Sequence, residues 1–276
     1  MATDDRKPPT RRGYVDVDGG QLHYASAGVG RPVVLIHQTP RSWDEYRDVL
    51  PILGSRYRAI AFDSPGFGAS DFFGEDSIEA YAAVLQQALV ALSVVAPVLV
   101  GHHTGALVAL ELAARDGENP EVIAGGVHAV VLSASPFRTA DERAAALAGP
   151  GIDEVKERPD GEHLTELWQR RQKFYPHGRP DLLRRFVSDA LRLGNRAEEG
   201  HRAVNRYAPE RRAGLIRCPV LAVCGTEDPY SYPALGRLTE AIPHANVQEI
   251  PGGMVPLPDQ MPAEFADAVD EFVNSL

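Results

Sequence analysis

Short, mostly apolar runs alternate along the chain with segments whose apolar residues recur every three or four positions. The apolar runs predict strands covered on both faces, at 32–36, 57–62, 96–100, 127–132 and 219–225. The periodic segments predict helices, at 43–53, 78–92, 233–242 and 262–273. A hairpin is predicted at 14–24 and a further strand at 246–250. Strands that alternate with helices predict an α/β fold, with a mostly parallel sheet covered by helices on both faces.

The pattern changes in the middle of the chain. Strand signals are absent from about 133 to 215, where charged helical segments are separated by Pro- and Gly-rich breaks. We therefore predict a helical cap over 136–213, inserted into a core formed by 1–135 and 214–276. The polar start, 1–12, is expected to be a disordered tail.

Composition narrows the class of protein. The chain has 276 residues, 44% of them hydrophobic, and a formal net charge of −10, which argues against a nucleic-acid-binding surface. We find neither a signal peptide nor a run of about 18 apolar residues, so we expect a cytoplasmic protein that is not in a membrane. Cys218 and Cys224 flank one predicted strand and are too far apart to pair, so both are expected to be reduced.

One stretch, 98–110, indicates where the chemistry lies. An apolar run ends in the turn Gly101-His102-His103-Thr104-Gly105, and a helical pattern follows. This is the layout of a nucleophile elbow, which reads Gly-x-Ser-x-Gly in its serine form. The glycines are expected because backbone segments approach closely there. His103 occupies the position of the serine.

Four motifs in order resemble those of the α/β-hydrolase superfamily, in particular its cap-bearing branch. They are an oxyanion loop at 37–40, an Asp-x-Pro-Gly-x-Gly-x-Ser turn at 63–70, the elbow at 101–105, and the strand end at 225–229. The resemblance implies the α/β-hydrolase fold and identifies Asp228 as the family's acid. It also implies that the backbone N–H groups of Thr39 and Thr104 form an oxyanion hole.

The chain departs from this pattern at three positions. His103 replaces the nucleophile, and Val255 falls where the family carries its catalytic histidine, with no histidine after His244. Gln38 replaces a glycine of the oxyanion loop. Because a serine nucleophile needs an adjacent base, ordinary serine esterase chemistry is disfavoured.

His103 could act as a general base or as a nucleophile. We expect its ring to extend into the space emptied at Val255 and to approach Asp228. The favoured interpretation is a cofactor-free enzyme with lyase- or cyclase-type proton transfer on a small carbonyl compound. A hydrolase of an ester, lactone, amide or C–C bond by a non-serine route is the first alternative. A non-catalytic ligand-binding protein is the second.

A small-molecule substrate is the expected partner, with neither nucleic acid nor a membrane, and a homodimer is one option for assembly. No metal site is expected, because the side chains of neighbouring His102 and His103 diverge and no carboxylate or cysteine cluster accompanies them. His102 is more consistent with packing than with catalysis. The candidate substrate-binding residues are Gln38, His102, His163, Trp168, Phe174 and Val255.

Overall fold

The computed structural model describes residues 7–276 and contains one eight-stranded sheet. The strands are β1 (Arg11–Val17), β2 (Gly20–Ala27), β3 (Pro32–Ile36), β4 (Arg58–Phe62), β5 (Val98–His102), β6 (Ala129–Ser133), β7 (Val220–Gly225) and β8 (Ala245–Ile250). Their order is β1-β2-β4-β3-β5-β6-β7-β8. The β1–β2 and β2–β4 pairs are antiparallel, and all the other pairs are parallel. The carboxyl ends of β3 to β8 therefore lie at one edge of the sheet.

Helices connect most of these strands. They are α1 (Leu50–Leu53), α2 (Ile78–Ala91), α3 (Thr104–Glu118), α4 (Ala140–Ala148), α5 (Glu162–Gln172), α6 (Pro180–Leu193), α7 (Glu199–Arg206), α8 (Leu235–Ala241), α9 (Leu257–Gln260) and α10 (Pro262–Asn274). Short 3-10 turns lie at Trp43–Tyr46, Gly194–Arg196, Pro209–Arg211, Ala213–Leu215 and Tyr232–Ala234.

Each face of the sheet has its own apolar core. In β3, Val34 and Ile36 join a cluster with α2, α3 and α8, whereas Val33 and Leu35 join one with α1, α9 and α10. The two clusters follow from the alternation of side chains along a strand. Because both faces are covered, β5 and β6 are buried at every position, and the predicted fold class is confirmed.

The helical insertion, which we define as residues 134–219 between β6 and β7, contains α4 to α7. It is joined to α3 through the buried Glu111, which accepts hydrogen bonds from the Tyr207 hydroxyl and from Nε of Arg212, both at 2.9 Å. Its own apolar cluster, centred on α5 and α6, also includes Val255 from the loop after β8. The insertion therefore lies against the edge of the sheet where the parallel strands end.

Three local predictions differ from the structure. The helix predicted at 43–53 is divided into a 3-10 turn and α1, because Pro51 has no N–H to donate and its ring would clash with the carbonyl of residue 47 in a continuous helix. The short helix α9 was not predicted. Arg11 and Arg12, placed in the disordered tail, pair with β2, and residues 1–6 of that tail lie outside the described residues.

Two further sequence expectations concern cysteines and membranes. Cys218 and Cys224 are both free thiols, as predicted. Among residues 7–276, no helix combines the length and the apolar character that crossing a membrane requires.

Candidate active site

His103 occupies the sharp turn between β5 and α3. Its backbone has φ 47° and ψ −112°, a conformation that L-residues rarely adopt and that is found where surrounding structure enforces it. Its N–H donates to the carbonyl of Ser133 at the end of the adjacent strand β6 (2.9 Å). The turn is therefore held by the sheet on one side and by the start of α3 on the other.

The glycines on either side of this turn are required by space. A Cβ on Gly101 would lie 2.0 Å from the carbonyl oxygen of Gly105, and a Cβ on Gly105 would lie 1.9 Å from that of Ile36. Both distances are far below van der Waals contact with backbone atoms that cannot move independently. The Gly-x-His-x-Gly spacing thus reflects the close approach of α3 to β3 and β5.

The His103 ring reaches the acid that the sequence resemblance indicated. Its Nε2 lies 2.8 Å from Oδ2 of Asp228, and 13% of the His103 side chain is exposed while that of Asp228 is fully buried. The approach of the ring N–H is too oblique for an aligned hydrogen bond. The contact is therefore a short pairing of ring and carboxylate.

Asp228 lies in the loop after β7 and is fixed by backbone donors. Its Oδ1 accepts from the N–H groups of Tyr230 (2.9 Å) and Ser231 (3.0 Å). Burial opposes ionisation, but His103 and these two N–H groups outweigh it and lower the pKa of the Asp228 carboxyl below its usual value. The residue is therefore a charged carboxylate at neutral pH.

The expected oxyanion donors lie close together. The Thr39 N–H points to Oγ1 of Thr104 at 3.3 Å. Thr104 is the first residue of α3, where backbone N–H groups have no acceptor within the helix. A negatively charged oxygen beside Thr104 would meet both this helix N-terminus and the loop after β3.

Gln38 is held by a buried acid in the same loop. Its backbone N–H and its Nε2 donate to the two carboxyl oxygens of Glu45, at 2.9 and 2.6 Å. Burial raises the pKa of Glu45 to about 8, although the positive charge of Arg41 opposes the shift. The loop after β3 is thus attached to a carboxyl that is largely neutral at pH 7.

A small cavity of about 40 Å³ lies in front of His103. Its wall includes Gln38, Thr39, Thr104 and Val255, each of which the sequence indicated. Within residues 7–276, no serine, cysteine or carboxylate side chain lines it. The volume suffices for a few water molecules.

The opposite wall comes from the helical insertion and from the loops after β6 and β7. It carries Arg138, Arg171, His201, Asn205 and Tyr230, none of which was predicted. These residues belong to helices and loops whose orientation no local pattern reveals. Arg138 and Tyr230 follow predicted strand ends, which is a weak signal for a site residue. For the other wall residues the sequence contains no signal.

A second histidine–aspartate pair lies in this wall. The His201 Nε2 is 2.8 Å from Oδ2 of Asp153, and Nε of Arg171 donates to Oδ1 of the same carboxylate at 2.5 Å. Burial raises the pKa of the Asp153 carboxyl, but Arg171 and His201 outweigh burial and lower it to about 2. Asp153, Glu198 and His201 lie close enough to ligate a metal ion. However, the Arg171 guanidinium already supplies the positive charge there, so we interpret the cluster as an ion pair.

A family model described as the Alpha/beta hydrolase family matches residues 33–268. The chain belongs to the alpha/beta hydrolase family. It is 44% identical over 55 residues, 20% of its length, to the soluble epoxide hydrolase of a Corynebacterium species. It is 36% identical over 63 residues, 23% of its length, to haloalkane dehalogenase 2 of Mycobacterium tuberculosis. These matches span 19% and 22% of the relatives' own lengths.

Solved structures agree with the family assignment at the level of the fold. The enol-lactonase of Burkholderia xenovorans superposes with a TM-score of 0.76 over 95% of this chain and 100% of that one, at 19% identity. Identity this low supports a shared architecture alone.

One seryl oxygen of this alpha/beta hydrolase does contact a histidine ring, but away from the cavity. The Ser133 hydroxyl lies 2.9 Å from Nδ1 of His102, whose Nε2 donates to the carbonyl of Val255 (2.8 Å). Both side chains have no exposed surface, and burial together with the charge of His103 lowers the pKa of His102 to about 3. His102 is thus a neutral packing residue, and its candidacy for substrate binding is corrected.

Three other candidate substrate-binding residues also lie off this cavity. His163 and Trp168 line two separate cavities of the helical insertion. Phe174 is buried in the insertion's apolar cluster, with its ring centroid 5.0 Å from that of Tyr230. His163 and Trp168 share these cavities with residues of α6, Ala190 and Leu183 respectively, whereas the cavity in front of His103 is lined by Arg171, His201 and Tyr230.

Proposed function

We propose that the turn at 101–105 is the family's nucleophile elbow, that the helical insertion is its cap, and that His103 is a general base acting on a small carbonyl compound. The observation that carries this proposal is the 2.8 Å pairing of His103 with Asp228 beside a cavity whose other histidine–aspartate pair in the described chain, His201 with Asp153, is held by Arg171. The absence of a Ser-His pair in that cavity supports a route that does not pass through an acyl-serine.

We infer from the pairing which nitrogen would be the base. A carboxylate accepts hydrogen bonds only, so Nε2 carries the proton and Nδ1 retains the lone pair. In a Ser-His-Asp triad the acid holds Nδ1 and Nε2 is the base. The reversal follows from the ring being attached at the elbow, so that it approaches Asp228 from the opposite side.

The proposed step is a proton transfer next to a carbonyl group. Nδ1 removes a proton from the carbon next to the carbonyl, the C–H electron pair forms a C=C bond, and the carbonyl π pair moves to oxygen as an enolate. Where Nδ1 instead removes the proton of a hydroxyl β to the carbonyl, the O–H pair forms a new C=O bond, the C–C bond breaks, and its electron pair forms the C=C bond of the enolate. The resulting oxyanion accepts hydrogen bonds from the N–H of Thr104 and from that of Thr39, which gives up its 3.3 Å bond to Oγ1 of Thr104. Such donors are each worth about 2.7–4 kcal/mol. Asp228 stabilises the imidazolium until the proton returns to the product, so that elimination, C–C cleavage or ring closure needs no cofactor.

Hydrolysis is the second candidate, and the hydrolase names of the relatives favour it. Here Nδ1 removes a proton from a water molecule while its oxygen attacks an ester, lactone or amide carbonyl, and the same two N–H groups hold the tetrahedral oxyanion. The leaving group then takes the proton back from His103. Both candidates require His103 and differ in whether water becomes part of the product.

Proton exchange tests the shared base without knowledge of the substrate. A panel of ketones and oxo acids would be incubated in D₂O with the protein, and loss of the proton signals next to the carbonyl would be followed by NMR. A panel of p-nitrophenyl esters would be run in parallel for hydrolysis. We expect His103→Gln to lower the rate of whichever reaction is seen by about 10²–10⁴-fold, while His244→Gln, an exposed histidine, has no effect.

Equal rates in the wild type and His103→Gln would overturn the proposed role of His103. Tight binding of a compound from the panel without exchange or turnover would instead support a non-catalytic binding protein.

A further inference from the structure

The cavity wall carries two arginines in very different electrostatic states. Arg171 is buried and paired with Asp153 through Nε and Nη2, and His201 shares that carboxylate. Its charge is thus matched within the protein. The only other guanidinium on the wall, in the described chain, is that of Arg138.

Arg138 has no carboxylate within 4.0 Å among residues 7–276. Its Nη1 donates to Oδ1 of Asn205 at 2.7 Å, a neutral partner. The neighbouring arginines differ in this respect, since Arg143 pairs with Glu210 and Arg237 with Glu142. The positive charge of Arg138 is therefore left for a ligand, on a half-buried side chain at the cavity.

The surroundings fix the position of Arg138. The carbonyl of Arg138 accepts a hydrogen bond from Nη1 of Arg143 at 2.7 Å. The Asn205 amide is oriented from behind, because its Nδ2 donates to the carbonyl of His201 at 2.9 Å. Asn205 thus turns its oxygen toward the guanidinium, and among residues 7–276 the remaining N–H groups of Arg138 have no acceptor and can bind an anion.

The negative charges nearby are already used. Asp153 is paired with Arg171 and His201, and Asp228 with His103. Neither side chain lines the cavity. An anion that enters the cavity therefore meets the guanidinium of Arg138 directly. The negative charges of Asp153 and Asp228 lie behind the wall and are already paired with basic side chains.

We propose that Arg138 binds a carboxylate of the substrate, so that the substrate is a small oxo acid with its carbonyl at His103 and its carboxylate at Arg138. The placement of the carbonyl at His103 rests on the proposed function, whereas the binding of the carboxylate by Arg138 does not. A guanidinium fork matches the two oxygens of a carboxylate, and such charge-assisted pairs are stronger when partly shielded from water.

Binding measurements test the carboxylate half separately from catalysis. Pyruvate and levulinate would be titrated against the full-length protein by ligand-observed NMR, with pyruvamide and levulinamide as neutral controls of the same shape. We expect the amides to bind at least 10-fold more weakly than the acids. Arg138→Gln should weaken the acids by a similar factor, Arg138→Lys by less, and Arg211→Gln, which removes an exposed charge elsewhere on the chain, should have no effect.

Further arms separate the ways in which this proposal could fail. His103→Gln should retain binding of the acids, so loss of activity with intact binding bears only on the proposed function. Equal affinity of acids and amides, or unchanged acid binding in a folded Arg138→Gln, would overturn the carboxylate site. Tighter binding of inorganic phosphate than of either acid would also overturn it, in favour of a phosphate ligand.

Discussion

The Nε2 atom of His103 lies 2.8 Å from Oδ2 of Asp228. The acid comes from the loop after β7 and the ring from the turn after β5, so two parallel strands with β6 between them bring the pair together. Because Asp228 engages Nε2, the nitrogen left for a ligand is Nδ1. The proposed chemistry depends on this orientation of the ring.

Replacing Asp228 by asparagine should leave a side chain of similar shape beside His103 but remove the basic lone pair from Nδ1 of His103. The asparagine amide can donate to Nε2, which favours the tautomer with its proton on Nδ1 and leaves no lone pair there. We expect the rate of proton exchange or hydrolysis to fall by about 10²-fold or more. Since Asp228 acts through His103, the double variant His103→Gln/Asp228→Asn should be no slower than His103→Gln alone. Additive losses would contradict this coupling.

The same pair should affect stability in acid. His103 and the two backbone N–H groups hold the pKa of Asp228 below its ordinary value of 3.8. This contribution to the free energy of unfolding is present above the unfolded-state pKa and is lost as the pH falls through the folded-state value. The free energy of unfolding of the wild type, measured with urea, should therefore decrease below about pH 4. His103→Gln should show a smaller loss, and carboxyl NMR should report a higher Asp228 pKa in that variant.

The Glu45 carboxyl should give a pH dependence of the opposite sign. Its folded-state pKa of about 8 lies above the ordinary 4.5, so the folded protein keeps this proton where the unfolded chain has lost it. Stability should fall as the pH rises from about 4.5 to 8, by at most about 1.4 kcal/mol per pH unit. Glu45→Gln can keep the bonds to Gln38 if the Gln38 amide turns over, and its unfolding free energy should lack this decline. An identical slope in both proteins would refute the assignment.

The turn glycines should tolerate no side chain. Gly105→Ala would place Cβ 1.9 Å from the backbone oxygen of Ile36, which forces α3 away from the sheet. We expect a loss of about 3 kcal/mol or more in the free energy of unfolding, or failure to fold. Gly236→Ala is a matched control, because that glycine is exposed in α8 with no atom near its Cβ position. It should stabilise by about 0.5–1 kcal/mol, and comparable effects at both sites would contradict the steric account.

The sequence was most informative where one residue type satisfies one local requirement. The glycines at 101 and 105 and the buried central strands each reflect a single packing constraint, so the sheet and a sharp turn between β5 and α3 were predicted correctly. The wall formed by Arg138, Arg171 and His201 was not, because it depends on how α5 and α7 pack, and charged residues on a helix read as a solvated face. The same ambiguity led to the choice of Trp168 and Phe174, whose apolar spacing serves the insertion's own core.

Two substitutions, His103→Ser and Val255→His, should together create the serine–histidine pair of the family pattern. Val255 lines the same cavity as His103 and stands in the sequence where the family's histidine belongs. A histidine there would place an imidazole near both the elbow and Asp228. We expect His103→Ser alone to be inactive toward p-nitrophenyl acetate, since its hydroxyl has no base. His103→Ser/Val255→His should gain hydrolysis at least 10-fold above His103→Ser.

The gain should depend on the acid and on the new hydroxyl. His103→Ala/Val255→His is the matched control, because it carries the same added ring without a nucleophile, and adding Asp228→Asn should abolish the gain. Burst kinetics of p-nitrophenol release would identify an acyl-serine in the restored protein. If His103→Ser alone hydrolyses the ester as fast as the double variant, another base already serves position 103. The elbow would then have retained a base that the geometry does not reveal.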